Sequence, residues 1–148
     1  LDVITRAGLL RRDTLLIHAV RVREASIALI AHAGCGVAHC PASNAKLGHG
    51  IAPLHAMLKA GVQVGLGSDS MASNDRMDLL EEARLASFAQ RSALKRHDVV
   101  TAKQAFRLAT LGGAEALGLD EEIGSLEPGK QADLAVFELP PGPQENVY

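Results

Sequence analysis

Three short apolar runs, at residues 15–20, 36–40 and 62–66, alternate with segments of helical periodicity, and this alternation restricts the chain to a layered α/β fold. Leu15-Leu16-Ile17-His18-Ala19-Val20 is nearly continuous in apolar residues, as expected of a strand buried on both faces. Ile27, Ile30 and Ala31 then mark one face of a helix that Gly34 terminates. A second strand, Gly36-Val37-Ala38-His39-Cys40, is closed by Pro41, and a polar loop through Ser43-Asn44 and Gly48-His49-Gly50 follows. A helix from about Pro53, ended by Gly61, precedes the third strand, Val62-Gln63-Val64-Gly65-Leu66, which runs into Gly67-Ser68-Asp69-Ser70. His18 and His39 are 21 residues apart, and His39 and Asp69 are 30 apart, near the ~30 residues of one βα unit. Right-handed parallel crossovers therefore predict all three residues at one sheet edge, where the strands' C-terminal ends meet.

Beyond Asp69 the pattern turns helical. A long helix is expected from about Arg76, with Leu79, Ala83 and Ala86 on one face and Glu81, Glu82, Arg91, Lys95 and Arg96 on the solvated remainder. Thr101-Ala102-Lys103-Gln104 has the form of a capping box that opens another helix, through Ala105, Leu108 and Ala109. Gly112-Gly113 and Gly118 bracket a short one. Glu127-Pro128-Gly129-Lys130 reads as a type II turn, and Ala132-Asp133-Leu134-Ala135-Val136-Phe137 as a strand. Residues 140–148 carry three prolines and no packing pattern, so an irregular tail is expected there.

Composition narrows the partners. Fifteen Lys and Arg against seventeen Asp and Glu give a net charge of −2, so no basic surplus exists for a nucleic acid backbone. The longest stretch without charge, residues 25–45, holds Gly34, Gly36, Pro41, His32 and His39, which argues against a membrane span. Cys35 and Cys40 are too few for a disulfide framework and are expected to be small buried thiols in a cytoplasmic protein. With only 3% aromatic residues, the core must be aliphatic.

Asp69 can act as a metal ligand or proton acceptor, or simply cap the next helix. His18 is open to two readings as well, a satisfied core histidine or a site residue in register with Asp69, and His39 stands evenly between them. His32, His49, His55 and His97 have no partner at ligand spacing. No P-loop, nucleophile elbow, H-E-x-x-H or dinucleotide fingerprint competes.

Leu16-Ile17-His18-Ala19-Val20, Val37-Ala38-His39-Cys40-Pro41-Ala42-Ser43-Asn44-Ala45-Lys46-Leu47, Gly65-Leu66-Gly67-Ser68-Asp69-Ser70 and Ile123-Gly124-Ser125-Leu126-Glu127-Pro128-Gly129-Lys130-Gln131-Ala132-Asp133-Leu134 together resemble the C-terminal part of an amidohydrolase-superfamily enzyme. The branch is that of S-adenosylhomocysteine, guanine and cytosine deaminases and the triazine hydrolases. The resemblance implies part of a metal-dependent (β/α)8 TIM barrel, strands six to eight, over residues 1–120, and an incomplete β-sandwich segment over 121–139. It implies that Asp69 binds the metal and shuttles a proton, and that His18 hydrogen-bonds the attacking hydroxide or the substrate. Ser73 is expected to touch substrate, while His39, Ser43 and Asn44 shape the strand-seven loop, which makes Ser73 and His39 the expected substrate-binding residues. The expected cofactor is a divalent metal, zinc first and iron as the alternative.

The implied reaction is hydrolysis of a C–N bond, deamination of a heterocyclic or purine-like small molecule by a metal-activated water. Two alternatives stay open: a catalytically inactive fragment, and a dechlorinating or cyclic-amide hydrolase of the same superfamily. The family's H-x-H on strand one and H-x-H-x-x-E on strand five do not occur in this sequence, which opens on Leu1. The expectation is that the chain begins around the helix before strand six. Assembly into a homo-oligomer stays open.

Overall fold

A computed structural model describes residues 1–138. The elements follow one another as α1 (Asp2–Arg6), β1 (Leu15–Ile17), α2 (Glu24–Ala33), β2 (Gly36–His39), α3 (Pro41–Lys46), α4 (Leu54–Lys59), β3 (Gln63–Leu66), α5 (Met71–Asn74), α6 (Leu79–Leu94), α7 (Ala102–Leu108) and α8 (Leu111–Leu117). The three strands form one parallel sheet in the order β1-β2-β3, with Leu16 beside Val37 and Val37 beside Val64. Parallel neighbours need a crossover, and α2 supplies the first while α3 and α4 supply the second.

The two-residue period of a strand divides the sheet into two faces. Val37 and Val64, with Leu16 partly buried beside them, pack into a core with Ile27, Ile30, Leu54 and Met57. Burying a side chain the size of Ile30 or Leu54 stabilises by about 2–3 kcal/mol, so this aliphatic layer is the main thermodynamic support of the sheet. On the opposite face Gly36 and Gly65 leave room for α8 to lie directly on the strands. A Cβ on Gly65 would stand 2.6 Å from Gly113 Cα, and one on Gly36 would overlap the Ala116 carbonyl. Gly112 and Gly113 therefore lie inside the helix they were expected to precede.

Several local expectations are met for the expected physical reasons. Gly34 ends α2 with φ +69°, its N–H bonded to Ala31 O. Thr101 and Gln104 close a complete capping box on α7. Gly129 takes φ +96°, and Lys130 N–H donates to Glu127 O at 3.2 Å, which is the type II turn. Cys35 and Cys40 are buried free thiols.

Other expectations are corrected. β1 is an edge strand with Leu15 38% and Ile17 59% exposed, because α8 packs on β2 and β3 and leaves this face of β1 open. The Ser43-Asn44 loop is a helix, α3, begun by Pro41 at its first position, where a missing N–H is harmless. The long helix starts at Leu79 rather than Arg76, because the Asp78 side chain accepts from Leu80 and Glu81 N–H and acts as its cap. Its buried stripe is Glu82, Ala83, Ala86, Ser87 and Gln90, so Leu79 faces out and Glu82 faces in.

The strand expected at Ala132-Asp133-Leu134-Ala135-Val136-Phe137 does not form; a strand needs a ladder partner, and none lies beside it among the described residues. Val136 is 95% exposed. The expected tail at 140–148, and residue 139 of the expected sandwich segment, lie outside the described residues. Among the described residues no helix is long and apolar enough to cross a membrane.

The contact of α8 with the sheet yields a direct test. Gly36→Ala is expected to destabilise the fold by about 1–3 kcal/mol or more, because its neighbour is backbone and cannot rotate away. Denaturant unfolding of the variant beside the parent chain measures this.

Candidate functional site

In-register parallel pairing brings the C-terminal ends of all three strands to one edge. β1 ends at Ile17, and His18 then takes φ +69° and Ala19 φ +47°. The Ala19 N–H returns to Ile17 O at 2.9 Å, a three-residue turn whose positive central φ is the rare, strained form. His18 N–H still donates to Ala38 O at 2.8 Å, so the strained turn is anchored to β2. Beyond β3, Gly67 N–H donates to His39 O at 3.0 Å, and Asp69 takes φ +59°. Non-glycine residues adopt this left-handed region at a cost, and such positions gather at functional edges.

Asp69 is the centre of the cluster. Its Oδ2 accepts from Ser43 Oγ at 2.5 Å and its Oδ1 from Ser70 N–H at 2.7 Å. The Ser43 hydroxyl first, then the Ser70 N–H, hold the carboxyl below the usual carboxylate range against a smaller opposing effect of burial. Asp69 is thus an anion near neutral pH. His18 Nε2 stands 3.7 Å from Asp69 Oδ2, too long for a hydrogen bond but within ion-pair range. The alternative of Asp69 as helix cap is answered by Ser70, whose hydroxyl accepts Ser73 N–H and caps α5. Ser73 Oγ lies 3.0 Å from Ser70 Oγ on the same turn.

His39 is separate from this group. It is 2% exposed, both ring nitrogens lack a partner, and with Asn44, Gly50 and Ile51 it lines a cavity of about 230 Å³. Burial, and next the nearby His18, push its pKa down to about 4, so the ring is neutral at ordinary pH. The structure therefore brings His18, Asp69 and Ser73 to one edge and places His39 behind it.

Two participants, His49 and Glu82, escape a reading of the sequence, and a third, Ser43, was expected only to shape the loop after the second strand. Ser43 is buried and bonded directly to Asp69. His49 sits edge-on to His18, with ring centroids 6.0 Å apart, brought there by the loop after α3. Glu82, expected on the solvated face of α6, is 1% exposed; its Oε2 accepts from Ala42 N–H at 3.0 Å and its Oε1 from Asn74 Nδ2 at 2.5 Å. Burial raises its pKa, partly offset by those two bonds. The available signal was its helical spacing with Ala86 and Gln90, one acidic side chain on a stripe of small and amide residues.

The donor set accommodates one side of a divalent cation. The Asp69 carboxylate accepts from Ser43 Oγ and Ser70 N–H, with Ser73 as a weaker further donor, and His18 Nε2 converges on the same space. Among the described residues no group of three or more His, Cys, Asp or Glu is placed to hold a metal.

A parallel sheet that gathers a low-pKa carboxylate, an imidazole and backbone strain at the strands' C-terminal edge has the layout of a TIM-barrel-type α/β fold. The amidohydrolase family model matches residues 1–148, and the chain belongs to that family. It is 44% identical over 137 residues to the 5-methylthioadenosine/S-adenosylhomocysteine deaminase of Moorella thermoacetica, covering 93% of this chain and 32% of that protein. A crystal structure of an adenosine deaminase from Xanthomonas campestris with bound zinc superposes with a TM-score of 0.87 at 39% identity, over 89% of this chain and 30% of that one. The Escherichia coli guanine deaminase gives a TM-score of 0.80 at 34% identity, over 88% and 30%. The chain thus spans about a third of the length of the curated relatives it matches.

The neutral burial of His39 has a consequence for stability. Its folded pKa of about 4 lies below the ordinary 6.5, so the unfolded chain binds the proton more readily between those values. Stability is expected in full above pH 6.5 and to fall as pH drops towards 4, by about 3 kcal/mol from this residue alone. Urea unfolding from pH 7 to pH 4, compared with His39→Asn, checks it: the variant's curve should be flatter over that window.

Proposed function

We propose that this chain contributes strands six to eight of a (β/α)8 barrel in a divalent-metal-dependent hydrolase that deaminates a heterocyclic or purine-like small molecule. Residues 1–120 are the barrel portion in this reading, and residues 121–139 part of a small β-sandwich. The observation that carries it is the Asp69 carboxylate, its pKa lowered by hydrogen bonds from Ser43 and Ser70, beyond the C-terminal end of β3 with His18 Nε2 3.7 Å away. Similarity to deaminases, one of them solved with bound zinc, supports the reaction class and zinc over iron. Two buried free thiols agree with a reducing, cytoplasmic setting.

Asp69 and His18 would lie against the metal, with Asp69 as ligand. When bound, a divalent metal lowers the pKa of water towards ~7 and so supplies a nucleophile at neutral pH. Asp69 takes the proton of the attacking water and delivers it to the leaving nitrogen. The water oxygen bonds to the ring carbon, the exocyclic C–N bond breaks, and nitrogen departs as ammonia. His18 orients the attacking oxygen through Nε2, and its strained, ladder-anchored turn holds the ring in place. Ser73 contacts substrate from α5. His39, at the end of β2, shapes the segment that leads into α3, where Ser43 stands, and through it the substrate site.

A second reading, that these 148 residues alone do not turn over substrate, is favoured by one observation: among the described residues no three ligands come together.

Asp69→Asn keeps the size of the side chain and removes its charge. In the full-length protein it is expected to lower deamination by about 10²–10⁴-fold and to reduce tightly held zinc. Ammonia release from an aminopurine nucleoside and metal content after dialysis measure the two effects. Turnover equal to the parent's would remove Asp69 from the reaction.

A further inference from the structure

Glu82 lies on α6, yet both of its oxygens are committed to the short helices beside the site, one to α3 and one to α5. Oε2 accepts the N–H of Ala42, the residue before Ser43; Oε1 accepts from Asn74, whose second amide hydrogen goes to Ser68 O at 2.7 Å, the residue before Asp69. Each arm ends one residue from the Ser43–Asp69 hydrogen bond. A carboxyl group buried to 1% exposure is retained in a core only where its partners compensate for lost hydration, and here the partners are α3 and α5, the two short helices beside the site. Nothing else on α6 requires a carboxylate at this depth: the neighbouring buried positions Ala83, Ala86 and Ser87 are small, and Gln90 ties a different loop, through Ala52 O and His55 N–H.

We propose that Glu82 is a positioning residue that sets the Ser43–Asp69 pair, and with it the left-handed Asp69 backbone, from behind the site. It works as a brace. Without the carboxylate, the first turn of α3 and the Ser68-Asp69 turn are no longer referred to one common point, and strain at Asp69 can relax towards an ordinary backbone conformation. The proposal takes its functional meaning from the role assigned to Asp69, but its structural content stands without it.

Glu82→Gln is the direct test, because glutamine keeps the volume yet can offer an acceptor to only one of the two donors and presents NH₂ to the other. Three readouts are taken on the full-length protein with its metal for Glu82→Gln, Ser43→Ala and the double variant. Hydrogen exchange at the Ser70 amide, which is bonded to Asp69, should accelerate about tenfold in Glu82→Gln while core amides of α2 keep their protection. Zinc retention against a chelator and kcat should each fall about 10–100-fold, with KM changed much less. In the Ser43→Ala background Glu82→Gln should add little, since both act through one hydrogen bond.

Should Glu82→Gln fail to fold, Asn74→Ala, which removes only the Ser68 arm from a partly exposed helix, carries the same expectations. Unchanged Ser70 exchange, or losses that add in full across the double variant, would overturn the proposal and leave Glu82 a packing residue. A full-length parent protein that holds no zinc and releases no ammonia would overturn the proposed function instead, while the Ser70 amide still decides for or against Glu82.

Discussion

The side-by-side register of Leu16, Val37 and Val64 is the constraint on which everything else in the molecule depends. Because the strands are parallel and paired without a slip, their C-terminal ends coincide, and residues far apart in sequence arrive at one edge. A slip of one residue would turn Val37 and Val64 away from the aliphatic core and bring their neighbours in. The same register leaves Gly36 and Gly65 on the face where α8 needs bare backbone. Core and site are consequences of one hydrogen-bonding pattern.

Around that sheet, α6 acts less as a solvated cover than as a set of polar latches. Glu82 reaches Ala42 and Asn74, Ser87 Oγ donates to Val100 O at 2.7 Å, and Gln90 Nε2 donates to Ala52 O at 2.8 Å. Loops between strands and helices carry backbone groups that a helical neighbour's own backbone cannot satisfy, so side chains must do it. The short, strained segments at His18-Ala19 and Asp69 survive in this setting because their surroundings over-determine them. Membership of the amidohydrolase family and the location of the candidate site at the sheet's C-terminal edge are consistent with that arrangement.

Much of the fold was legible from local chemistry. The βα alternation, the Gly34 stop, the Thr101 capping box and the Gly129 turn each depend on residues within a few positions, and all form as read. The convergence of His18 and Asp69 was legible too, since parallel topology follows from the alternation. What was not legible depends on which faces find a partner. Leu15 and Ile17 read as a strand buried on both faces but lie at a sheet edge, and the apolar alternation from Ala132 to Phe137 finds no ladder among the described residues. Glu82 read as surface because charge is the usual mark of an exposed helix face, and only packing reveals that its stripe turns inward.

By itself the sequence determined the order and type of the main elements, the aliphatic character of the core, the pair of ionisable residues at the strand ends and the family resemblance. Those properties reside in periodicity, turn chemistry and motif spacing, all of which act over short stretches of chain. The tertiary structure alone decided that Ser43 lowers the pKa of Asp69, that His39 is neutral and buried behind the site, and that Glu82 is bonded to α3 and α5. Each of these depends on where a side chain stands relative to water and to groups 26 or 40 residues away, as in the Ser43–Asp69 and Ala42–Glu82 bonds. Desolvation and hydrogen bonding are properties of the packed neighbourhood, and the neighbourhood exists only once the sheet has aligned its three ends.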